Sequence, residues 1–161
     1  MDNWRQFEQE YMDEKPLLVS ALVNGVATSQ ALVDSGCLVY GIVSDCFVRR
    51  HQLSCVQIEP RHLQSVDSVS EDAVSRVVSF NLDIGGHRQK QVYAYVVPKI
   101  EGYEMILGKS WLRKERALLD AAKGCLHFQD SGLEVYSEPE KNPYNHKQVS
   151  ASVYGFLTNY L

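Results

Sequence analysis

Leu17-Leu18-Val19-Ser20-Ala21-Leu22-Val23-Asn24-Gly25-Val26-Ala27-Thr28-Ser29-Gln30-Ala31-Leu32-Val33-Asp34-Ser35-Gly36 is the stretch on which the fold turns. Two apolar, β-prone runs, residues 17–23 and 26–33, flank Asn24-Gly25. That dipeptide between such runs is the strongest short hairpin signal, because a two-residue type I′ turn needs positive φ at both positions. The second run delivers a carboxylate, Asp34, to the end of an apolar strand where the chain must turn at Gly36. An acid emerging there is costly unless it is paired or used.

The tripeptide alone says little, and the chain carries its own control. Asp130-Ser131-Gly132 repeats it, but no apolar pair directly precedes that copy and no apolar-apolar-Gly segment follows it. It reads as the tip of a last hairpin, built from residues 125–128 and 133–136. Asp83-Ile84-Gly85 reads as a strand end entering a Gly-Gly turn.

Outward from the first hairpin, Ile42, Val43, Cys46, Phe47 and Leu53 recur at helical spacing behind a possible cap at Ser44, which predicts a short helix or helical turn. Residues 54–75 are polar and turn-like. Val78, Phe80, Leu82 and Ile84 then alternate cleanly, Gly85-Gly86 turn the chain, and Val92, Ala94 and Val96 alternate back, a second hairpin of a half-buried antiparallel sheet. Residues 103–107 read as a strand stopped by Gly108, and 110–119 as a helix capped by Ser110 with Trp111, Leu112 and Leu118 facing inward. Ahead of everything, Trp4, Phe7 and Tyr11 share one face of a short helix, read as a docking arm whose aromatics serve either packing within the chain or a partner. The division expected is an arm over residues 1–16, one domain over 17–136, and a polar linker with an apolar tail over 137–161.

Composition narrows the function. The 161 residues are 45% apolar, enough to close one core without disulfides or metal. A formal charge of -4, with no basic run longer than Arg49-Arg50, argues against nucleic acid as a partner. The four cysteines, at 37, 46, 55 and 125, lack zinc-site spacing and read as reduced thiols. The start is acidic and polar, without the pattern of a secretory signal, and no apolar run is long enough to cross a bilayer, so an intracellular, cytoplasmic protein free of membrane is expected. The five histidines are scattered, and no metal or cofactor is expected. Cys37 reads as a small packing residue rather than a nucleophile, and Ser35 lacks the Gly-x-Ser-x-Gly elbow of a hydrolase serine.

What raises Asp34 above its twin is a second element, Glu104-Met105-Ile106-Leu107-Gly108-Lys109-Ser110-Trp111-Leu112. With it, the chain resembles the retropepsin family of aspartic proteases over roughly residues 17–136. Members carry apolar-apolar-Asp-Thr/Ser-Gly after a first hairpin, and an apolar-apolar-Gly strand before a late helix. Ile-Leu-Gly-x-x-Trp-Leu looks especially like proteases of gypsy-type LTR retrotransposons, and Asp-Ser-Gly-Cys like the version in fungal elements. The resemblance implies an all-β fold, a closed β-barrel half with one or two short helices. It implies a homodimer in which one Asp34 from each subunit holds a water and hydrolyses an extended peptide or polyprotein. Ser35 would lock the two loops together, Gly36 would permit the turn, and Ile106, Leu107 and Gly108 would brace the loop from behind. Retroelement particles are a location the resemblance allows. Two departures stand out. The flap, placed by sequence order around residues 63–78, contains no glycine over residues 64–72, which leaves a non-catalytic dimerisation or peptide-binding module as the alternative. The tail beyond residue 136 is either polyprotein flank, a surface-docked segment, or an autoinhibitory peptide.

Overall fold

A computed structural model describes residues 2–64 and 69–141 of the chain, with the backbone alone described at residues 2, 64 and 69–72. The tip of the expected flap and the apolar tail lie outside the described residues.

The Asn24-Gly25 hairpin forms as read. Strand β1 (Leu17–Val23) pairs antiparallel with β2 (Ala27–Val33) in the register Leu17↔Val33 to Val23↔Ala27. Asn24 and Gly25 take φ of 52° and 69°. Val26 is not part of the strand and is 84% exposed. The second hairpin also forms, from β5 (Val69–Ile84) and β6 (His87–Val97) around Gly85-Gly86. Val78, Phe80, Leu82, Ile84, Val92, Ala94 and Val96 are all buried.

The six further strands among the described residues are β3 (Gly41–Ser44), β4 (Val56–Gln64), β7 (Met105–Leu107), β8 (Ala117–Asp120), β9 (Cys125–Phe128) and β10 (Glu134–Tyr136). The large sheet runs β1-β2-β7-β3-β6-β5-β4, and β1 also pairs with β5 through Leu22↔Asp83 and Val23↔Leu82. This extra pairing closes six strands into a mixed barrel, with β4 outside the ring on β5. The closure is fastened at Asn24, whose N–H donates to the Asn81 carbonyl (2.9 Å) and whose Oδ1 accepts from the Asn81 N–H (2.8 Å). β8, β9 and β10 form a separate sheet whose Phe128, Leu126 and Ala117 pack into the barrel core. The all-β expectation therefore holds, with short helices at Asp2–Phe7 (α1, continued as a π-helical turn over Glu8–Met12), Asp45–Arg50 (α2) and Lys109–Glu115 (α3).

Three local expectations are corrected. Ile42 and Val43 are strand residues in β3. Ser44 does cap a helix, accepting from the Phe47 N–H at 3.2 Å, but that helix begins only at Asp45. Residues 54–75 are largely the hairpin β4–β5, not turns. Most of β4 is exposed, with Val56 at 63%, and Leu63 is its one buried residue among those described, so no apolar alternation marks it. The late helix stops at Glu115. Arg116 is left-handed at φ 52°, its carbonyl accepts from the Gln129 N–H, and the chain continues as β8 with Leu118 exposed. Ser110 is not the cap; Gly108 occupies that position without a side-chain bond.

Beyond β10 the chain stays on the barrel. The Glu138 N–H donates to the Leu18 carbonyl (2.8 Å), the Ser20 hydroxyl to Glu138 (2.7 Å), the Gln30 amide to the Pro139 carbonyl (3.0 Å), and the Tyr103 hydroxyl to Glu140 (2.7 Å). At the other end, Trp4, Phe7 and Tyr11 do share a face. Their rings contact one another at 6.4 and 5.2 Å, and each stays at least half exposed.

Candidate active site

β7 is the strand that makes the site. It lies between β2, to which it runs parallel (Leu32↔Ile106, Val33↔Leu107), and β3, to which it runs antiparallel (Ile42↔Ile106, Gly41↔Leu107). Three apolar residues, Met105, Ile106 and Leu107, suit a strand buried on both faces. Their ladder continues one step past the strands, where the Asp34 N–H donates to the Leu107 carbonyl at 2.9 Å. Asp34 is thereby fixed at the mouth of the barrel, half-buried, just beyond the apolar pair Leu32-Val33.

The loop from Asp34 to Tyr40 is then stitched to the start of α3. The Gly36 N–H donates to Asp34 Oδ1 (2.9 Å) and the Cys37 N–H to the Asp34 carbonyl (3.1 Å), so the carboxylate is aimed by its own turn. The Lys109 N–H donates to the Cys37 carbonyl (2.8 Å) and the Gly108 N–H to the Tyr40 carbonyl (2.9 Å). Gly108 has no room for more: a Cβ there would sit 2.7 Å from the Cys37 carbonyl oxygen and closer still to that of Val39. Glycine is required here for close backbone approach rather than for an unusual φ. The structure thus brings Asp34, Gly36, Ile106, Leu107 and Gly108 together. Ser35 is exposed, and its hydroxyl makes no hydrogen bond among the described residues.

Cys37 is fully buried behind the loop. Burial, and then the charge of Asp34, push its thiol up to about 12 against the opposing contact with the Val39 carbonyl. It is therefore a neutral packing group at physiological pH, not a nucleophile. The twin of Asp34 has a different fate: Asp130 is 73% exposed on the tip between β9 and β10, paired with Arg116 at 3.0 Å, and Gly132 takes φ 75°. Among the histidines, His87 lies 2.8 Å from Glu115 and stacks on Phe128, and His127 faces Glu134.

Sequence reasoning missed a buried polar set behind the loop. Trp111 Nε1 donates to Gln89 Oε1 (2.7 Å), and Gln89 Nε2 donates to the Tyr40 hydroxyl (3.2 Å). Gln89 sits in an otherwise polar stretch of β6, and only its 8% exposure marks it as an inward residue.

A family model describing the PEG10/RTL1 protease domain matches residues 30–134, which span both the Asp34 loop and the β7 brace. The chain belongs to the PEG10/RTL1 protease family. Among solved structures, this PEG10/RTL1-type domain is similar to the retroviral protease-like domain of Ddi1 from Leishmania major. The TM-score is 0.58 and the identity 17%, over 80% of this chain and 98% of that one. It also matches the EIAV protease complexed with the inhibitor HBY-793, with a TM-score of 0.44 and 17% identity, over 66% of this chain and 94% of that one. No curated protein matches the PEG10/RTL1-type chain in sequence. Its fold is retropepsin-like, as the two motifs implied.

Proposed function

We propose that the chain is one subunit of a homodimeric aspartic endopeptidase that processes the polyprotein of a gypsy-type LTR retroelement, fungal-type by its Asp-Ser-Gly-Cys. One observation carries the reading. A single carboxylate, Asp34, is held at the barrel mouth by the Leu107 carbonyl and its own Gly36 N–H, with no second acid loop of that construction among the described residues. Asp130, the other candidate by sequence, is an exposed turn residue bound to Arg116. A second copy therefore supplies the second acid, which makes the site two-fold symmetric.

Two Asp34 carboxylates across that axis hold a water between them. Like charges so close do not both ionise readily, so the pair shares one proton and titrates as a unit. The ionised partner takes a proton from the water as it attacks the peptide carbonyl, and the protonated partner donates to the carbonyl oxygen. The tetrahedral intermediate then collapses with proton transfer to the leaving amine, and no covalent adduct forms. The exposed Ser35 hydroxyl, without a hydrogen bond among the described residues, is available to bridge the two loops. Four free cysteines suit action in a reducing, intracellular compartment. An extended peptide would lie between the Asp34 loops and the β4–β5 hairpin, whose buried residues Leu63 and Val74 share a cluster with Leu32 and Ile106.

The absence of glycine from residues 64–72 favours a second reading, a retropepsin-like module that dimerises or binds extended peptides without turnover. Solution mass across a concentration series, read beside peptide turnover at mildly acidic pH, separates the two. The endopeptidase predicts turnover that rises with the dimer fraction. A dimer without turnover supports the module, and a strict monomer contradicts both.

A further inference from the structure

We infer that Gln89 is a positioning residue for the Asp34 loop, acting through Tyr40 and Trp111. The inference rests on the reading of Asp34 as the catalytic acid and says what holds that acid's loop in register. The backbone bonds already described pin the loop at its start and to the first residues of α3. The Tyr40 side chain adds a tie of another kind, running across the barrel to β6 and back to α3.

Three features of Gln89 go beyond ordinary packing. First, it is aimed inward by a β-bulge. Leu82 pairs with Gln89 and Phe80 with Val92, so one residue of β5, Asn81, faces two of β6, Lys90 and Gln91. Residues 89 and 92 would point to opposite faces of a regular strand; the bulge brings both into the core, at 8% and 0% exposure. Bulges beside active sites commonly serve to re-aim a side chain in this way. Second, the bulge requires Gln91 at φ 55°, which a residue with a Cβ adopts only at a cost, and the Gln91 N–H is held by Asn81 Oδ1 at 3.2 Å. Third, the amide can face only one way. An indole N–H donates and never accepts, so Oε1 must face Trp111, which leaves Nε2 to donate to the Tyr40 oxygen. Trp111 is fully buried on α3, two residues past the Lys109 that bonds the loop. Loop, strand and helix are thus joined through one amide.

Native-state amide hydrogen exchange tests this without any need for turnover. The variants are Tyr40→Phe, which removes one hydroxyl, Gln89→Met, which removes both bonds at similar volume, and Gln89→Glu, whose carboxyl group can still accept from Trp111 and bond Tyr40. Tyr40→Phe and Gln89→Met should speed exchange at Gly36, Cys37, Gly108 and Lys109 by about tenfold, the factor one ordinary hydrogen bond gives. Val96 on the same strand should be unchanged, and Gln89→Glu should restore the loop. Where turnover is measured, kcat should fall in Tyr40→Phe with KM unchanged. Loop and barrel amides that rise together, or loop amides that do not move, would overturn the inference. If Asp34→Asn left turnover intact, the reading of Asp34 would fail while the exchange result still decided the role of Gln89.

Discussion

Replacing Gly108 by alanine probes the brace on which Asp34 depends. The added Cβ would stand 2.7 Å from the Cys37 carbonyl oxygen and 3.1 Å from its Sγ, and nearer still to the Val39 carbonyl oxygen. Two of these neighbours are backbone, so relief requires the whole 37–40 segment to move. That movement breaks or stretches the bonds from Gly108 N–H to the Tyr40 carbonyl and from Lys109 N–H to the Cys37 carbonyl. At about 1 kcal/mol for each bond and about 1–3 kcal/mol for overpacking a tight site, the cost is roughly 3–5 kcal/mol. A domain of this kind has only about 5–15 kcal/mol in total. The melting temperature should fall by roughly 10 °C at about 2–4 °C per kcal/mol, and the urea midpoint should drop without a change in slope. Gly124→Ala is the control. Its site has φ +68° but no atom within 4 Å of the new Cβ, so only the left-handed penalty of about 1–2 kcal/mol applies. If Gly108→Ala proves no more destabilising than Gly124→Ala, the close-approach account of the brace is wrong.

Two further outcomes follow from the same geometry. Asp34→Asn should lower peptide turnover by at least about a hundredfold, the scale of lost acid-base catalysis, with the fold intact by circular dichroism. Asp130→Asn should leave turnover unchanged and stability within about 0.5 kcal/mol, since its pair with Arg116 is exposed; equal loss in the two variants would contradict the distinction drawn between them. Cys37 predicts a pH effect. Its thiol lies near 12 in the folded chain against an ordinary 9.0. Below pH 9 both states keep the proton and nothing changes. Between 9 and 12 only the unfolded chain releases it, so stability falls by up to about 1.4 kcal/mol per pH unit. The stability advantage of wild type over Cys37→Ala should therefore shrink by roughly 2 kcal/mol between pH 7 and pH 10.5; an advantage that stays constant would refute the burial argument.

Much of the barrel was legible because its central strands bury one face against the core. Val78 to Ile84 and Val92 to Val96 alternate, and Asn24-Gly25 and Gly85-Gly86 supply the positive φ their turns use. The β4–β5 arm was not legible, because over residues 56–75 only Leu63 and Val74 are buried among the described side chains, too few to write an apolar alternation. The end of α3 was hidden for another reason: Arg116 takes a left-handed φ of 52° where glycine would have announced it. The Asp34 loop was readable from two motifs, but the amide behind it was not. Gln89 reaches the core through a bulge that changes the phase of β6, and a period-two reading of that strand assigns it to solvent.

The central claim is that Asp34 is half of a site. Mixing wild-type and Asp34→Asn subunits, after exchange is complete, tests it most directly. With total protein fixed and peptide turnover measured against the wild-type fraction, a site needing one Asp34 from each chain predicts activity that falls as the square of that fraction, to about a quarter in an equal mixture. Activity that falls in simple proportion, to about a half, would mean that a single chain carries the whole site, and would contradict the account.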